Sequence, residues 1–277
     1  MRHVILHGHI FKNAGSSFDW SLQRSFADGF LDHREDKVMR ERGAEHLEAV
    51  LLERTEIAAL SSHHLCYPRP EIPALSFHPV YLLRHPIERI DSVYAFERRQ
   101  QSQTAGARAA KEKNFRDYVA WRMQDTVPRT IRDYQTCSVV GFHDRKPKTP
   151  VPADWLRKAL NHLGRVDCLG VVDRYDESMV VFEEHLAPYF PGIDLAYVPQ
   201  NMTRRRGKDK PLSGRVRGVI KRLGGLAPLV IENNSLDLAL YRYANQRLDR
   251  ARGEVEDFAN KLASFRDRCE RLKSAGQ

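Results

Sequence analysis

The sequence has little cysteine, no long apolar run and no nucleotide loop of the usual kinase form, and each absence narrows what the chain does. Its four cysteines, Cys66, Cys137, Cys168 and Cys269, are widely scattered, with no CxxC pair and no metal-ligand spacing. That distribution argues against a disulfide scaffold or a cysteine metal module, and reduced thiols in a cytoplasmic protein are the expectation. No apolar stretch is long enough to span a bilayer, so stable membrane insertion is not expected. The opening MRHVILHGHIFKNAG runs directly into a strand-like segment without a cleavable apolar leader, which speaks against a standard signal peptide.

What is present suits one large α/β domain. The chain has 277 residues, 42% of them hydrophobic, enough for a sizeable core. Lys and Arg outnumber Asp and Glu by 45 to 36, a net charge of +9. An anionic partner is implied, and on charge alone nucleic acid, acidic glycan and nucleotide all stay open.

Short β-favouring runs alternate with helical patterns. Val4–Leu6, Ile57–Leu60, Val80–Leu83 and Cys168–Val172 read as strands, and 16–26, 44–54, 87–103, 114–124, 154–163 and 176–186 as helices. Phe18, Leu22 and Phe26 recur at intervals of four, and Pro86 suits a first helical turn. The alternation predicts a central, mostly parallel sheet of four or five strands covered on both faces, a three-layer arrangement. The segment 201–225, with Arg204–Lys210 at its centre, reads as a mobile basic loop: a solvated loop, a lid, or an attractor for an acidic glycan. At the end of a domain of residues 1–243 and beyond it, Tyr241, Ala244, Leu248, Ala251, Val255, Phe258, Leu262, Phe265, Cys269 and Leu272 alternate at three and four residues. This heptad seam over 244–277 predicts a long C-terminal helix, either packed on its own domain or projecting as a coiled coil that makes a homodimer.

Two segments carry chemistry. The first, His9–Phe18, joins a strand to a helix, and such a loop aims backbone N–H groups and the positive helix end at an anion. Lys12 adds a charge, Asn13 and Ala14 complete the turn, Gly15 lets the backbone approach closely, and Ser16 and Ser17 add hydroxyls; Ser16 could instead be only an N-cap. An NTPase loop would place its lysine directly after the second glycine, where this chain has Ser16, and no acidic residue ends the Val80–Leu83 strand to organise Mg²⁺. Metal-assisted phosphoryl transfer is disfavoured. The second segment, Leu82–Tyr94, delivers Arg84 at the end of a strand, and Arg84 with Ser92 can grip a second phosphate.

Together, Lys12, Gly15, Ser16 and Ser17, then Arg84, Pro86, Arg89, Ser92 and Tyr94, resemble the sulfotransferases that use 3'-phosphoadenosine 5'-phosphosulfate (PAPS). The likeness is to the carbohydrate branch (heparan and Golgi types) and its bacterial relatives. The resemblance implies a P-loop-like sulfotransferase fold, a 5'-phosphosulfate on the first segment and a 3'-phosphate on the second. It extends weakly to Arg174–Ser178 and Leu238–Tyr243. It also implies a histidine base after a strand lying between the two motifs, which here is His63 or its neighbour His64, with Lys12 stabilising charge as the sulfuryl group moves in line to an acceptor hydroxyl. The implied acceptor is a glycan, with no metal and no nucleic acid required. Two rivals stay open: an ATP-dependent small-molecule kinase and a non-catalytic polyanion-binding module.

Overall fold

The computed structural model describes residues 1–65, 69–141, 151–200 and 211–275. Its centre is a five-stranded sheet in the order β2-β3-β1-β4-β5, in which every neighbouring pair is parallel. The strands are β1 (Arg2–Gly8), β2 (Phe30–His33), β3 (Ala59–Ser62), β4 (Leu75–Leu83) and β5 (Cys168–Val171). Helices α1 (Gly15–Phe26), α2 (Asp36–Glu53), α3 (Pro86–Arg99), α4 (Ala105–Glu112), α5 (Phe115–Arg122) and α6 (Tyr134–Val139) form the first half. Helices α7 (Trp155–Leu163), α8 (Tyr175–Leu186), α9 (Leu212–Leu223), α10 (Ala227–Glu232), α11 (Ser235–Glu254) and α12 (Phe258–Ala275) form the second.

Side chains alternate across β1, and the two faces bury different partners. Val4 and Leu6 pack with Met39, Leu47 and Leu51 of α2, while Ile5 joins Phe18 and Leu22 of α1 on the opposite side. Each fully buried Phe or Leu contributes roughly 1.5–3 kcal/mol, so the helices are held by these contacts and not by propensity alone. Beside the sheet, Ile90 and Val93 of α3, Tyr118 and Val119 of α5, and Val219 and Leu223 of α9 make a separate helical cluster.

Connections leave β1 towards β2 but leave β4 towards β5, so the chain parts in opposite directions above two adjacent strands. The crevice outside the carboxyl ends of such strands is where open parallel sheets place ligands. Gly8, Ser62 and Tyr81 lie in register, so the loops after β1, β3 and β4 open on the same edge.

The C-terminal seam is used within its own chain. The backbone breaks after α11, with Asp257 at φ 52°, so two helices replace the single long one expected. Ala244, Leu248, Phe265 and Cys269 are buried in the same core as the sheet, and Ala251, Val255, Phe258, Leu262 and Leu272 pack against it. Leu240 and Tyr241, which precede residue 244 on α11, join the same core. Ion pairs Lys261–Glu184 and Arg268–Glu183 fasten α12 to α8 at 2.6 and 2.7 Å. Among the described residues no helix is long and apolar enough to cross a membrane.

Candidate functional site

The turn from β1 into α1 uses an uncommon backbone. Lys12 and Ala14 have φ of 65° and 63°, the left-handed region that costs a non-glycine residue about 1–3 kcal/mol. Two such residues within three positions shape the loop at the sheet edge, and no side chain caps the N-terminus of α1 that follows. Ala14, not Ser16, is the N-cap residue, and Ser16 is exposed in the first turn. Gly15 is required by a side chain: a Cβ there would lie 2.3 Å from the ring of His9. Ser17 is buried, and its hydroxyl accepts the Gln200 N–H at 3.1 Å. Asn13 turns inward, its N–H donating to the Ile10 carbonyl at 3.1 Å and its amide to the Leu82 carbonyl at 2.8 Å.

The second segment meets the first directly. Arg84 donates from Nη1 to the Lys12 carbonyl at 3.2 Å and pairs through Nε with Glu88 at 2.8 Å. Glu88 also takes Arg215 at 3.0 Å; burial pushes its carboxyl up, but Arg84 and then Arg215 outweigh this and hold it below the usual carboxylate range. The Lys12 ammonium sits 4.7 Å from the centre of the Phe96 ring. Burial, then the charges of Arg84, Arg99 and Arg89, push Lys12 down to about 8. Cations thus crowd the β1–β4 crevice, which is the electrostatic condition for an anion site. Arg89 is buried and holds the Phe11 carbonyl at 3.0 Å and the Thr130 carbonyl at 2.9 Å, bracing the loop from beneath. Ser92 is half-buried further along α3.

A residue that sequence reasoning missed joins the two segments. The Gln135 side chain, fully buried on α6, accepts from the Asn13 amide at 2.6 Å and the Arg84 N–H at 2.9 Å, and donates to the Arg84 carbonyl at 2.9 Å. Its own helix is anchored by reciprocal capping. Asp237 accepts the N–H groups of Gln135 and Thr136 at 3.0 and 2.8 Å, while Asp133 accepts those of Leu236 and Asp237, both at 3.0 Å. Each carboxylate therefore caps the other's helix, α6 or α11. Burial, then the charge of Asp237, raises the carboxyl of Asp133.

Histidines line the other side of the loop. His63 follows β3, and its Nδ1 lies 2.7 Å from the His9 carbonyl. A carbonyl only accepts, so Nδ1 carries the proton and Nε2 of the neutral ring is left as the acceptor. Burial, then His9, push His63 down to about 4. The His9 ring is 4.3 Å from that of His63, and its Nδ1 reaches Asp19 at 2.8 Å. His7 binds the other Asp19 oxygen at 2.8 Å, with Ser61 3.0 Å away. Burial opposes ionisation of Asp19, but His7 and then His9 hold it well below the usual carboxylate range. Arg34 reaches the same carboxylate at 3.4 Å. His64 is buried, with Nε2 3.7 Å from Asp36. Two histidines at alternate positions ending β1 were the available signal for this cluster; Asp19 and Arg34 gave none.

Of the weaker sequence features, Ser178 ties α8 to β5 by bonding the Val171 N–H at 3.0 Å, a structural part. The basic run Arg204–Lys210 and Cys66 lie outside the described residues, whereas the rest of the expected 201–225 loop is largely helical, as α9. No family model matches the chain. It is similar to an uncharacterized protein of Archaeoglobus fulgidus, 27% identical over 249 residues that cover 87% of this chain and 95% of that protein.

Proposed function

We propose that this chain is a PAPS-dependent sulfotransferase that modifies an acceptor hydroxyl, with a glycan as the favoured acceptor. The observation that carries the reading is the meeting of Lys12 and Arg84 in one crevice, on a loop whose lysine is misplaced for an NTPase. The donor fits what is there: cations in excess, an uncapped helix start, and an arginine whose described bonds use Nε and Nη1. Lys12 and the first turn of α1 would hold the 5'-phosphosulfate, and Arg84 with Ser92 the 3'-phosphate that separates PAPS from ATP. When bound, PAPS supplies an activated sulfuryl group, transferred as the sulfur–bridging oxygen bond breaks and a sulfur–acceptor oxygen bond forms.

The chain's own residues supply a base and charge compensation. His63, with its proton fixed on Nδ1, takes the acceptor's proton at Nε2. A ring near 4 in the free protein is a weak base, and the negative charge of a bound donor raises it towards the useful range. The His9 carbonyl stabilises the resulting imidazolium through the same Nδ1 bond. Lys12 meets charge developing on the leaving oxygen. His64, engaged with Asp36, is the poorer candidate for the base.

The test is thermal stabilisation by 3'-phosphoadenosine 5'-phosphate (PAP), ADP and ATP, with the wild type and Arg84→Ala. PAP should stabilise the wild type specifically, and Arg84→Ala should lose that effect. Equal stabilisation by ADP refutes the assignment of Arg84, and stabilisation by ATP with Mg²⁺ alone favours a kinase.

A further inference from the structure

Away from the nucleotide crevice, the edge of the sheet brings two histidines and a glutamate together. His33 ends β2 and is buried, His46 lies on α2 and is mostly buried, and Glu35 stands exposed just before α2. The two Nε2 atoms are 2.9 Å apart, and the ligand atoms of all three residues lie within 4.8 Å of one another. We propose that His33, His46 and Glu35 bind a divalent metal ion of the zinc type.

The backbone makes this meeting by an unusual route. Glu35 and His46 are eleven residues apart, which a continuous helix would separate by about 16 Å. α2 is not continuous: Gly43, at φ 49° and ψ −116°, breaks it. Only glycine adopts that conformation readily, and the break returns His46 to the end of β2. Two imidazoles facing through Nε2 share at most one proton when neutral, so at least one lone pair already points into the gap. Zinc bonds nitrogen at about 2.0–2.1 Å in tetrahedral geometry, which places two such nitrogens about 3.3 Å apart. The rings need separate by only a few tenths of an ångström. Two imidazoles and one carboxylate are a ligand set suited to zinc, and the exposed Glu35 leaves the site open for water as a fourth ligand.

The ion's part is positional. The segment His33-Arg34-Glu35-Asp36 alternates its duties: His33 and Glu35 face the metal site, Arg34 reaches Asp19, and Asp36 approaches His64. Metal bound through the first and third residues fixes the second and fourth against the histidine cluster. The site stands independently of the proposed transfer reaction.

The experiment is titration of chelator-treated full-length protein with Co²⁺, followed by visible absorption, and with Zn²⁺ by calorimetry. One ion should bind per chain, His46→Gln should abolish binding, and the exposed Glu35→Gln should weaken it about ten-fold while leaving the fold intact. Gly43→Ala should weaken it as well. If His46→Gln fails to fold, Glu35→Gln decides. Absence of binding by the wild type, or unchanged affinity in Glu35→Gln, overturns the proposal. So does binding that survives His46→Gln and is lost in His9→Gln, because the ion then belongs to His7, His9 and Asp19.

Discussion

Replacing Gln135 by alanine tests whether the Lys12 loop and the Arg84 segment are held as one unit. The substitution strips the half-buried Arg84 N–H of its acceptor, frees the Arg84 carbonyl, and leaves the Asn13 amide with the Leu82 carbonyl alone. A buried polar group left unsatisfied costs about 1–3 kcal/mol, and here one donor is orphaned outright and a second loses half its partners. Allowing for the small cavity, a loss of about 2–4 kcal/mol is expected. At about 2–4 °C per kcal/mol for a chain near this size, the melting midpoint should fall by roughly 5–15 °C. Gln135→Glu is the sharper companion. It keeps an acceptor for Asn13 and for the Arg84 N–H, but sets a carboxylate against the Arg84 carbonyl and Asp237. Its defect should ease in mild acid, where protonation restores a donor. Thermal melts with and without PAP read both effects, and the affinity of Gln135→Ala for PAP should drop about ten-fold, or about 1.4 kcal/mol. A midpoint within about 2 °C of wild type, with PAP affinity intact, refutes the clamp.

His63→Ala should retain PAP binding and lose transfer by about 10²–10⁴-fold, measured by single-turnover sulfation of a glycan acceptor; unimpaired transfer moves the base elsewhere. Lys12, at about 8 in the free protein, is partly neutral above that pH, while a bound anion raises it again. PAP affinity should therefore fall as pH rises through 8, with proton uptake seen by calorimetry in two buffers, and Lys12→Met should remove the effect. A flat wild-type profile from pH 7 to 9 contradicts that role. Removing residues 244–277 takes Leu248, Phe265 and Cys269 out of the core, so the product should fail to fold instead of yielding a stable monomer. Light scattering and circular dichroism distinguish these outcomes.

The parts legible in the sequence are those where pattern and position coincide. Phe18, Leu22 and Phe26 gave α1 its spacing, Pro86 marked the start of α3, and apolar runs gave four of the five strands. β2 escaped because Phe-Leu-Asp-His is short and lies at the sheet edge, with only Phe30 and His33 buried. The heptad seam was real as a pattern, but spacing alone does not say whether a helix faces a second chain or its own sheet. In the site, Lys12 and Arg84 stood out because strand ends deliver residues to one edge. Gln135 and Asp237 did not, since they reach the crevice through contacts 51 to 122 residues apart in sequence. Nor did the role of Gly15, which answers to the ring of His9.

The exchange of caps between Asp133 and Asp237 has a bearing on the order in which the protein is made. α6 has only six residues, too few to persist alone in water, and its first turn is closed by a carboxylate that leaves the ribosome about a hundred residues later. Until α11 emerges, Gln135 has no fixed place from which to join Asn13 to Arg84. The strand–loop–helix at the start of the chain is thus synthesised first and completed last, so a nascent chain stalled before residue 237 carries the Lys12 loop and the Arg84 segment without the piece that sets them against each other.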